Sequence, residues 1–491
     1  MAKELYPKNS QVIQKPGMKV PAVLHSTIPG AVNKKTLDSL ERLAADGRIF
    51  NHIAALNDAH QKKDLASPTG SVVASKTHIM PQLFDSAPNC GMRVITTDLT
   101  DDDLNDENIA ELSNVLSSKI KTKGYIGKYV PRSVGIQSFL HGSQPVADYL
   151  NTRIRNEIEH THDQGDLFKN LPKSYALNSY SELANVIAPL LIFLGQFRLG
   201  LLGATSSHFL TLMRVDELLD PKQAEKLGLK QGQYIFYMHT GSGIIGRFIG
   251  YLYSPQARST LQNLEFNILK TGFSSPEYKQ HIAPLLSQWT PSDPLLGYEQ
   301  DAPAGRMAVQ ALQAAGNQGF ANRTVLSHQL DHALEDVFGR QLQLDLVYDA
   351  PHILLSREKH YGDDVWVHRN GATRARGPQA HGETGEPAFL APFEYTDAYV
   401  GVGTDSNPST FFSANHELGK KKFLGSSIQF SNSKKDRSSV LEIAGEHRRR
   451  VHTKQRDHLH GKRIAEEIAA NNILKLVARM TPITHLTHRH G

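Results

Sequence analysis

With a single cysteine, Cys90, among 491 residues, the chain has no internal disulfide, no zinc finger built on several thiolates and no cysteine-ligated iron–sulfur cluster. Three uses remain for that thiol: a buried passenger, a catalytic nucleophile, or one thiolate sharing a metal with imidazoles. Long hydrophobic runs are also missing. The most apolar stretch, 186–202, is interrupted by Pro189, Gly195, Gln196 and Arg198, which reads as a buried helix with its following turn and not as a membrane span. The first fifteen residues lack the apolar core of a signal peptide, so a cytoplasmic location is expected. Neither sign of charge dominates. Lys and Arg total 54 against 49 for Asp and Glu, a net +5 that leaves room for a nucleic-acid or nucleotide partner without requiring one. No internal repeat or low-complexity linker divides the chain, and 39% hydrophobic residues are enough to fold it. What is plentiful is histidine, with 24 residues.

The hydrophobic pattern predicts an α+β fold: one large domain of mixed sheets flanked by helices. Helices are expected at 36–45, capped by Thr36 and stopped near Gly47, and at 106–119, where Ile109, Leu112 and Leu116 share a face. The longest helical pattern runs from Met307 to Phe338, with Gly316 and Gly319 expected to bend or split it. Short β-rich runs lie at 94–97, 234–238, 344–348 and 365–368, the last followed by the turn pair Asn370-Gly371. Residues 1–50 read as an N-terminal extension packed on a core of 51–491. The Pro-, Ser- and Gly-rich segment 271–301 reads as a surface excursion.

Polar motifs stand at the ends of these strands, where α+β proteins tend to place functional loops. They are Asn89-Cys90-Gly91-Met92-Arg93, 203–209 with His208, 238–243 with His239, and Tyr348-Asp349-Ala350-Pro351-His352. One thiolate and three imidazoles make a competent site for Zn²⁺, Mn²⁺ or Co²⁺, and a thiolate can bridge two ions. Their spacing is too long and irregular to establish that they converge. A fifth motif, Ser413 to Lys420, contains His416 and follows the glycine-rich turn Val400-Gly401-Val402-Gly403-Thr404. Glycine permits close backbone approach to a phosphate, and His416 is either a nucleophile or acid/base there or an exposed histidine beside a tight turn.

In order along the chain, Asn57-Asp58-Ala59-His60, Pro68-Thr69-Gly70-Ser71-Val72, the Cys90 motif, Ser207-His208-Phe209-Leu210, His239-Thr240-Gly241-Ser242, Phe320-Ala321-Asn322-Arg323, the His352 motif, 368–375 and the His416 motif resemble the RtcB family of RNA ligases. The ending 477–483 resembles that family too, and the resemblance covers roughly Ala55 to Leu486. It implies an α+β fold particular to the family, one or two Mn²⁺ ions, GTP as cosubstrate, and joining of RNA 3′-phosphate or 2′,3′-cyclic phosphate ends to 5′-hydroxyl ends. It further implies that His416 carries a covalent guanylate, that Cys90, His239 and His352 hold one ion, and that Cys90 and His208 hold a second. Ser207, Gly371, Ala372, Thr373, Arg374, Gly403, Thr404 and Lys420 would line the nucleotide. Broken tRNA or rRNA would be the partner, with an archease-like activator as a further one and no membrane.

Several motif positions depart from the family. The metal-binding aspartate is replaced by Ala87, with Asp85 the nearest acid, leaving the second ion weak, water-completed or absent. Ser207 replaces an asparagine, Gly243 an arginine with Arg247 nearest, and Glu417-Leu418-Gly419-Lys420 a Gly-Ala-Gly-Arg. Thr487 stands where a lysine reads guanine, so GTP and ATP both remain open. The basic residues Lys421, Lys422, Arg448, Arg449 and Arg450 are expected to steer RNA phosphates, the alternative being a solvated face. Two other readings compete with ligation: a metal-containing RNA-binding scaffold that no longer ligates, and a cyclic-phosphate hydrolase.

Overall fold

The computed structural model describes all residues except 1–5, 8, 29–31, 63–65, 85–86, 123–125, 128–129, 204–207, 256–274, 291–294, 393–395, 419–454 and 488–491; for 455–460, 485 and 487 it describes the backbone alone. The fold is α+β. Two sheets dominate it. A six-stranded sheet has the order Gln11–Ile13, Ala22–Leu24, Ile53–His60, Thr69–Ser75, Asp363–Asn370, Ile353–His360. Its strand Ala22–Leu24 runs parallel to Ile53–Ala55, and its other pairs are antiparallel. A seven-stranded antiparallel sheet has the order Asp345–Pro351, Gly91–Thr96, Tyr234–Thr240, Phe209–Leu218, Leu474–Thr487, Ala398–Gly403, Pro387–Leu390. A small ribbon, Ala372–Arg374 against Ser413–Asn415, lies beside them.

One helix ties the two sheets together. Pro303–Phe338 runs 36 residues without a break. Its first half, including Met307, Ala311 and Ala315, shares a core with Ile353, Leu355 and Trp366 of the six-stranded sheet. Its second half packs Leu326, Leu330 and Leu334 with Ile95, Leu212 and Phe236 of the seven-stranded sheet. The expected split at Gly316 and Gly319 does not occur. A Cβ on Gly319 would lie 2.6 Å from the Asn89 carbonyl oxygen, and one on Gly316 would lie 2.3 Å from Leu167 Cδ1. These glycines let a loop close in on the helix, and tertiary packing outweighs the roughly 1 kcal/mol each costs in helix propensity.

Other elements follow their local signals closely. The helix Lys34–Ala44 starts one turn earlier than its stripe suggests, because Asn33, and not Thr36, accepts the Thr36 N–H. Asp106–Lys119 is capped by Asn105, with acidic residues in its first turn and Lys119 in its last. The apolar stretch 186–202 yields only the short helix Pro189–Gly195, which buries Leu191 and Ile192 but leaves Leu190 and Phe193 half exposed. Nor is 271–301 all surface: Tyr278, Ile282 and Tyr298 are buried in the core that holds Met307. Among the described residues, no helix is long and apolar enough to cross a membrane.

Candidate metal and histidine centre

The strand ends of the two sheets meet at one place. Pro351 closes a strand of the seven-stranded sheet and Ile353 opens one of the six-stranded sheet, so His352 is the single residue between them. Its backbone N–H donates to the Cys90 carbonyl at 2.8 Å, and Asn89 N–H returns a bond to the Ile353 carbonyl at 2.8 Å. Asn89 adopts a left-handed φ of 54°, which turns Cys90 toward the neighbouring strands. Register does the rest. Met92 and Phe209 both sit opposite His239, which brings Cys90, His208 and His239 together from three adjacent strands.

The donor atoms converge. Cys90 Sγ lies 3.3 Å from His208 Nε2 and 3.4 Å from His239 Nε2, and His239 Nε2 lies 2.9 Å from His352 Nε2. Bonds of about 2.0–2.3 Å to one ion place neighbouring donors about 3.0–3.8 Å apart; the two separations from Cys90 fall in that range, and the ligand atoms of Cys90, His208 and His239 all lie within 4.8 Å of one another. All four side chains are buried. His208 donates Nδ1–H to the Leu202 carbonyl at 2.8 Å, which leaves the Nε2 lone pair facing the thiol. Burial, with the nearby charges of Arg247 and Arg323, pushes His208 down to about 4, and burial holds His352 well below the ordinary imidazole value. Both are therefore neutral near pH 7, as ligands must be. No carboxylate joins the Cys90, His208, His239 group among the described residues.

His416 stands next to this cluster, its ring stacked on His352 with centroids 4.6 Å apart. It follows the ribbon strand Ser413–Asn415, whose partner begins just after Gly371. That glycine has φ +67°, and a Cβ there would come 2.4 Å from Thr69 Cγ2 and 3.1 Å from His416 Cε1, so only glycine lets the turn close over the imidazole. His416 Nδ1 is 3.0 Å from Asp58 Oδ2. A carboxylate can only accept, so the proton sits on Nδ1 and the lone pair on Nε2.

A buried ion network props the centre from behind. Arg323 on the long helix donates Nε–H to Asp349, and its terminal nitrogens bond the Asn89 carbonyl at 3.0 Å, Asn89 Oδ1 at 2.7 Å and the Thr240 carbonyl at 2.8 Å. Arg93 reaches the same Asp349 and also Glu157. Burial alone would push Asp349 up, but the two guanidinium groups hold it below the usual carboxylate range. Arg323 thus fixes the backbone on both sides of Cys90 and His239.

A family model described as tRNA-splicing ligase RtcB matches residues 39–487. The chain belongs to the RtcB family. Relatives carrying the name tRNA-splicing ligase RtcB include one from Methanococcus maripaludis, 26% identical over 71% of this chain and 70% of that protein. Another, from Thermococcus kodakarensis, is 27% identical over 79% and 76%, and one from Aeropyrum pernix is 25% identical over 96% and 95%.

As an RtcB-family chain it keeps some expected positions at the centre and moves others away. Cys90, His208, His239, His352 and His416 assemble, with Gly371 and Ala372 beside them; Ala372 N–H bonds the His352 carbonyl at 2.9 Å. Thr373 is buried within the ribbon opposite Ala414. Arg374 is buried and its guanidinium is paired with Glu386 at 3.0 Å and Asp163 at 2.8 Å, because a buried arginine must be paired. Gly403 and Thr404 pack on Ala375 and Arg376, and Thr404 donates to the Asn472 carbonyl, away from the histidines. Ser207, Lys420, Lys421, Lys422, Arg448, Arg449, Arg450 and Asp85 lie outside the described residues, as does the side chain of Thr487.

The departures from the family motifs also take shape. Ala87 closes the turn before the thiol, its carbonyl accepting from Cys90 N–H at 3.3 Å, and supplies no ligand. Arg247 lies one turn beyond Gly243 on the helix Gly243–Leu252, near enough to depress His208, and has no ion-pair partner among the described residues. Glu417 brings a carboxylate oxygen to 3.8 Å from His416 Nε2. Sequence reasoning quoted Asp58, Arg323 and Asp349 only as motif letters. The signal that could have singled them out is charge in strongly apolar surroundings, which predicts a buried, paired role.

Proposed function

We propose that the chain is an RNA ligase that joins RNA 3′-phosphate or 2′,3′-cyclic phosphate ends to 5′-hydroxyl ends, using Mn²⁺ and a purine nucleoside triphosphate, with GTP as the expected one. The observation that carries this reading is His416: an imidazole polarised by a buried carboxylate on one nitrogen and stacked against the last member of a thiolate–imidazole cluster. Membership of the RtcB family supports the same reaction class.

In this reading Asp58 keeps the proton on His416 Nδ1 and orients the ring, so that Nε2 attacks the α-phosphorus of the nucleotide and pyrophosphate leaves. A 2′,3′-cyclic end is first opened by water to a 3′-phosphate; the imidazole then gives the nucleotidyl group to the RNA 3′-phosphate and recovers its lone pair. Attack by the RNA 5′-hydroxyl on that activated phosphate forms the new diester, and the nucleoside monophosphate departs. Asp58 stabilises the positive charge that His416 carries while bonded to phosphorus. The Cys90, His208, His239 and His352 donor set fits a divalent ion, which when bound would neutralise phosphate charge. Arg247, near His208, is a cation with no ion-pair partner among the described residues.

Incubation with Mn²⁺ and α-labelled GTP or ATP tests the reading. An acid-labile nucleotide adduct is expected on the wild-type chain and none on His416→Ala. Absence of an adduct with either nucleotide, when metal analysis shows the site filled, overturns the ligase and leaves the RNA-binding scaffold suggested by Ala87 or the cyclic-phosphate hydrolase, which nucleotide-independent opening of a 2′,3′-cyclic end tells apart. Cys90→Ser is expected to lower bound metal per chain while leaving the fold intact.

A further inference from the structure

One cavity in the described structure holds none of the residues discussed for the reaction except Arg374. It encloses about 500 Å³ at the far end of the ribbon from His416, within the range of small-ligand pockets. The ribbon fixes the relation between the two places. Asn415, beside His416, pairs with Ala372, and Ser413, beside Phe412, pairs with Arg374. Phe412 lines the cavity, so about 10–13 Å of nearly extended chain separates it from His416.

Its lining combines an aromatic shelf with cations. Phe412 stacks on His360, centroids 5.8 Å apart and planes 26° from parallel. His360 is buried and bonds Glu358 through Nε2, while its Nδ1 has no hydrogen-bond partner. Glu358 is neutralised by Arg369, and Asp163 by Arg374. The remaining acid, Asp405, accepts from Gln379 N–H at 3.1 Å. Arg357 and Lys359 at the rim have no ion-pair partner among the described residues; Arg357 rests over the Trp366 ring, 6.0 Å from its centroid. Phe412 and these two cations line one cavity, the cations from strand positions that alternate with Glu358 and His360, and an aromatic surface with cations in reach fits a base with its phosphates.

We propose that this cavity is a subsite for an RNA nucleotide near the end being joined, with the base on Phe412 and the backbone phosphates on Arg357 and Lys359. This rests on the RNA-ligase reading, which places the strand end at His416.

The test uses the full chain and a single-stranded RNA oligonucleotide ending in a 3′-phosphate, with Arg357→Gln/Lys359→Gln as the variant. Oligonucleotide affinity is expected to fall on the order of tenfold at low salt, and the slope of log K against log salt to shrink by about 1.4, the value for two lost contacts on a single strand. A 2-aminopurine a few residues from the 3′ end is expected to be quenched on binding, with the quenching lost in Phe412→Leu. Unchanged affinity and slope in the double variant overturn the subsite. So does an effect on binding of free mononucleotide equal to that on the oligonucleotide, which would make the cavity a nucleotide pocket. Labelling of His416 needs no RNA and is read separately. If the variant loses RNA affinity while even the wild type forms no adduct, the subsite stands and the ligase reading falls.

Discussion

The imidazole of His416 and the carboxylate of Asp58 meet at 3.0 Å across 358 residues of sequence. Asp58 sits on Ile53–His60 of the six-stranded sheet, wholly shielded from solvent in its side chain, and its Oδ1 has no hydrogen-bond partner. The other oxygen, Oδ2, faces the histidine and also accepts from the Glu417 backbone N–H at 3.4 Å. It fixes the tautomer as well as the ring orientation, and both matter to a nitrogen nucleophile.

Asp58→Asn tests that pairing. The amide is nearly isosteric but can donate, so it no longer fixes the Nδ1 proton. Nucleotide labelling of His416 is expected to fall about 10²-fold or more, with little change in thermal stability. Labelling at the wild-type rate would reduce Asp58 to a packing role.

Asp349→Asn addresses the buried network. Arg93 and Arg323 are both shielded from solvent, and both rely on Asp349. Removing its charge leaves two guanidinium groups undercompensated, and a loss of about 3–5 kcal/mol in urea unfolding is expected. A cost below about 1 kcal/mol would place this pair among those that contribute little.

Gly319→Ala opposes a local rule to a tertiary one. Alanine favours a helix by about 1 kcal/mol, but here its Cβ would lie 2.6 Å from the Asn89 carbonyl oxygen. Net destabilisation of about 1–3 kcal/mol is expected, with weaker metal binding as the Cys90 turn shifts. Gly250→Ala, on a helix where nothing lies within 4 Å of the new Cβ, is the control and should be neutral or stabilising.

Acid should unfold the protein through its buried histidines. His25 and His52 both direct Nε2 at the Ser409 carbonyl, and burial pushes them down to about 3 and about 4. They stay neutral in the folded state, whereas the unfolded chain protonates them near 6.5. Stability is thus fully present above pH 6.5 and falls as pH drops toward 4, with His52 contributing on the order of 3 kcal/mol. His52→Gln should flatten the pH dependence of the urea midpoint over that window.

The sequence by itself determined the local elements and the chemical alphabet of the centre. Apolar spacing located Asp106–Lys119 to the residue, and the ordered motifs around Cys90, His208, His239, His352 and His416 pointed to the family. Tertiary structure decided what local pattern does not encode. The same glycines that read as a helix break serve a close approach of Asn89, because propensity carries no knowledge of a neighbour. That Arg374 pairs with Glu386 and Asp163 follows from its burial, which the motif does not reveal. Asp58, Arg323 and Asp349 acquired roles only when strand register and one long helix set them against residues hundreds of positions away. Convergence of five side chains from the seven-stranded sheet, the junction between the two large sheets and the small ribbon is a property of register and packing, and no spacing along the chain prescribes it.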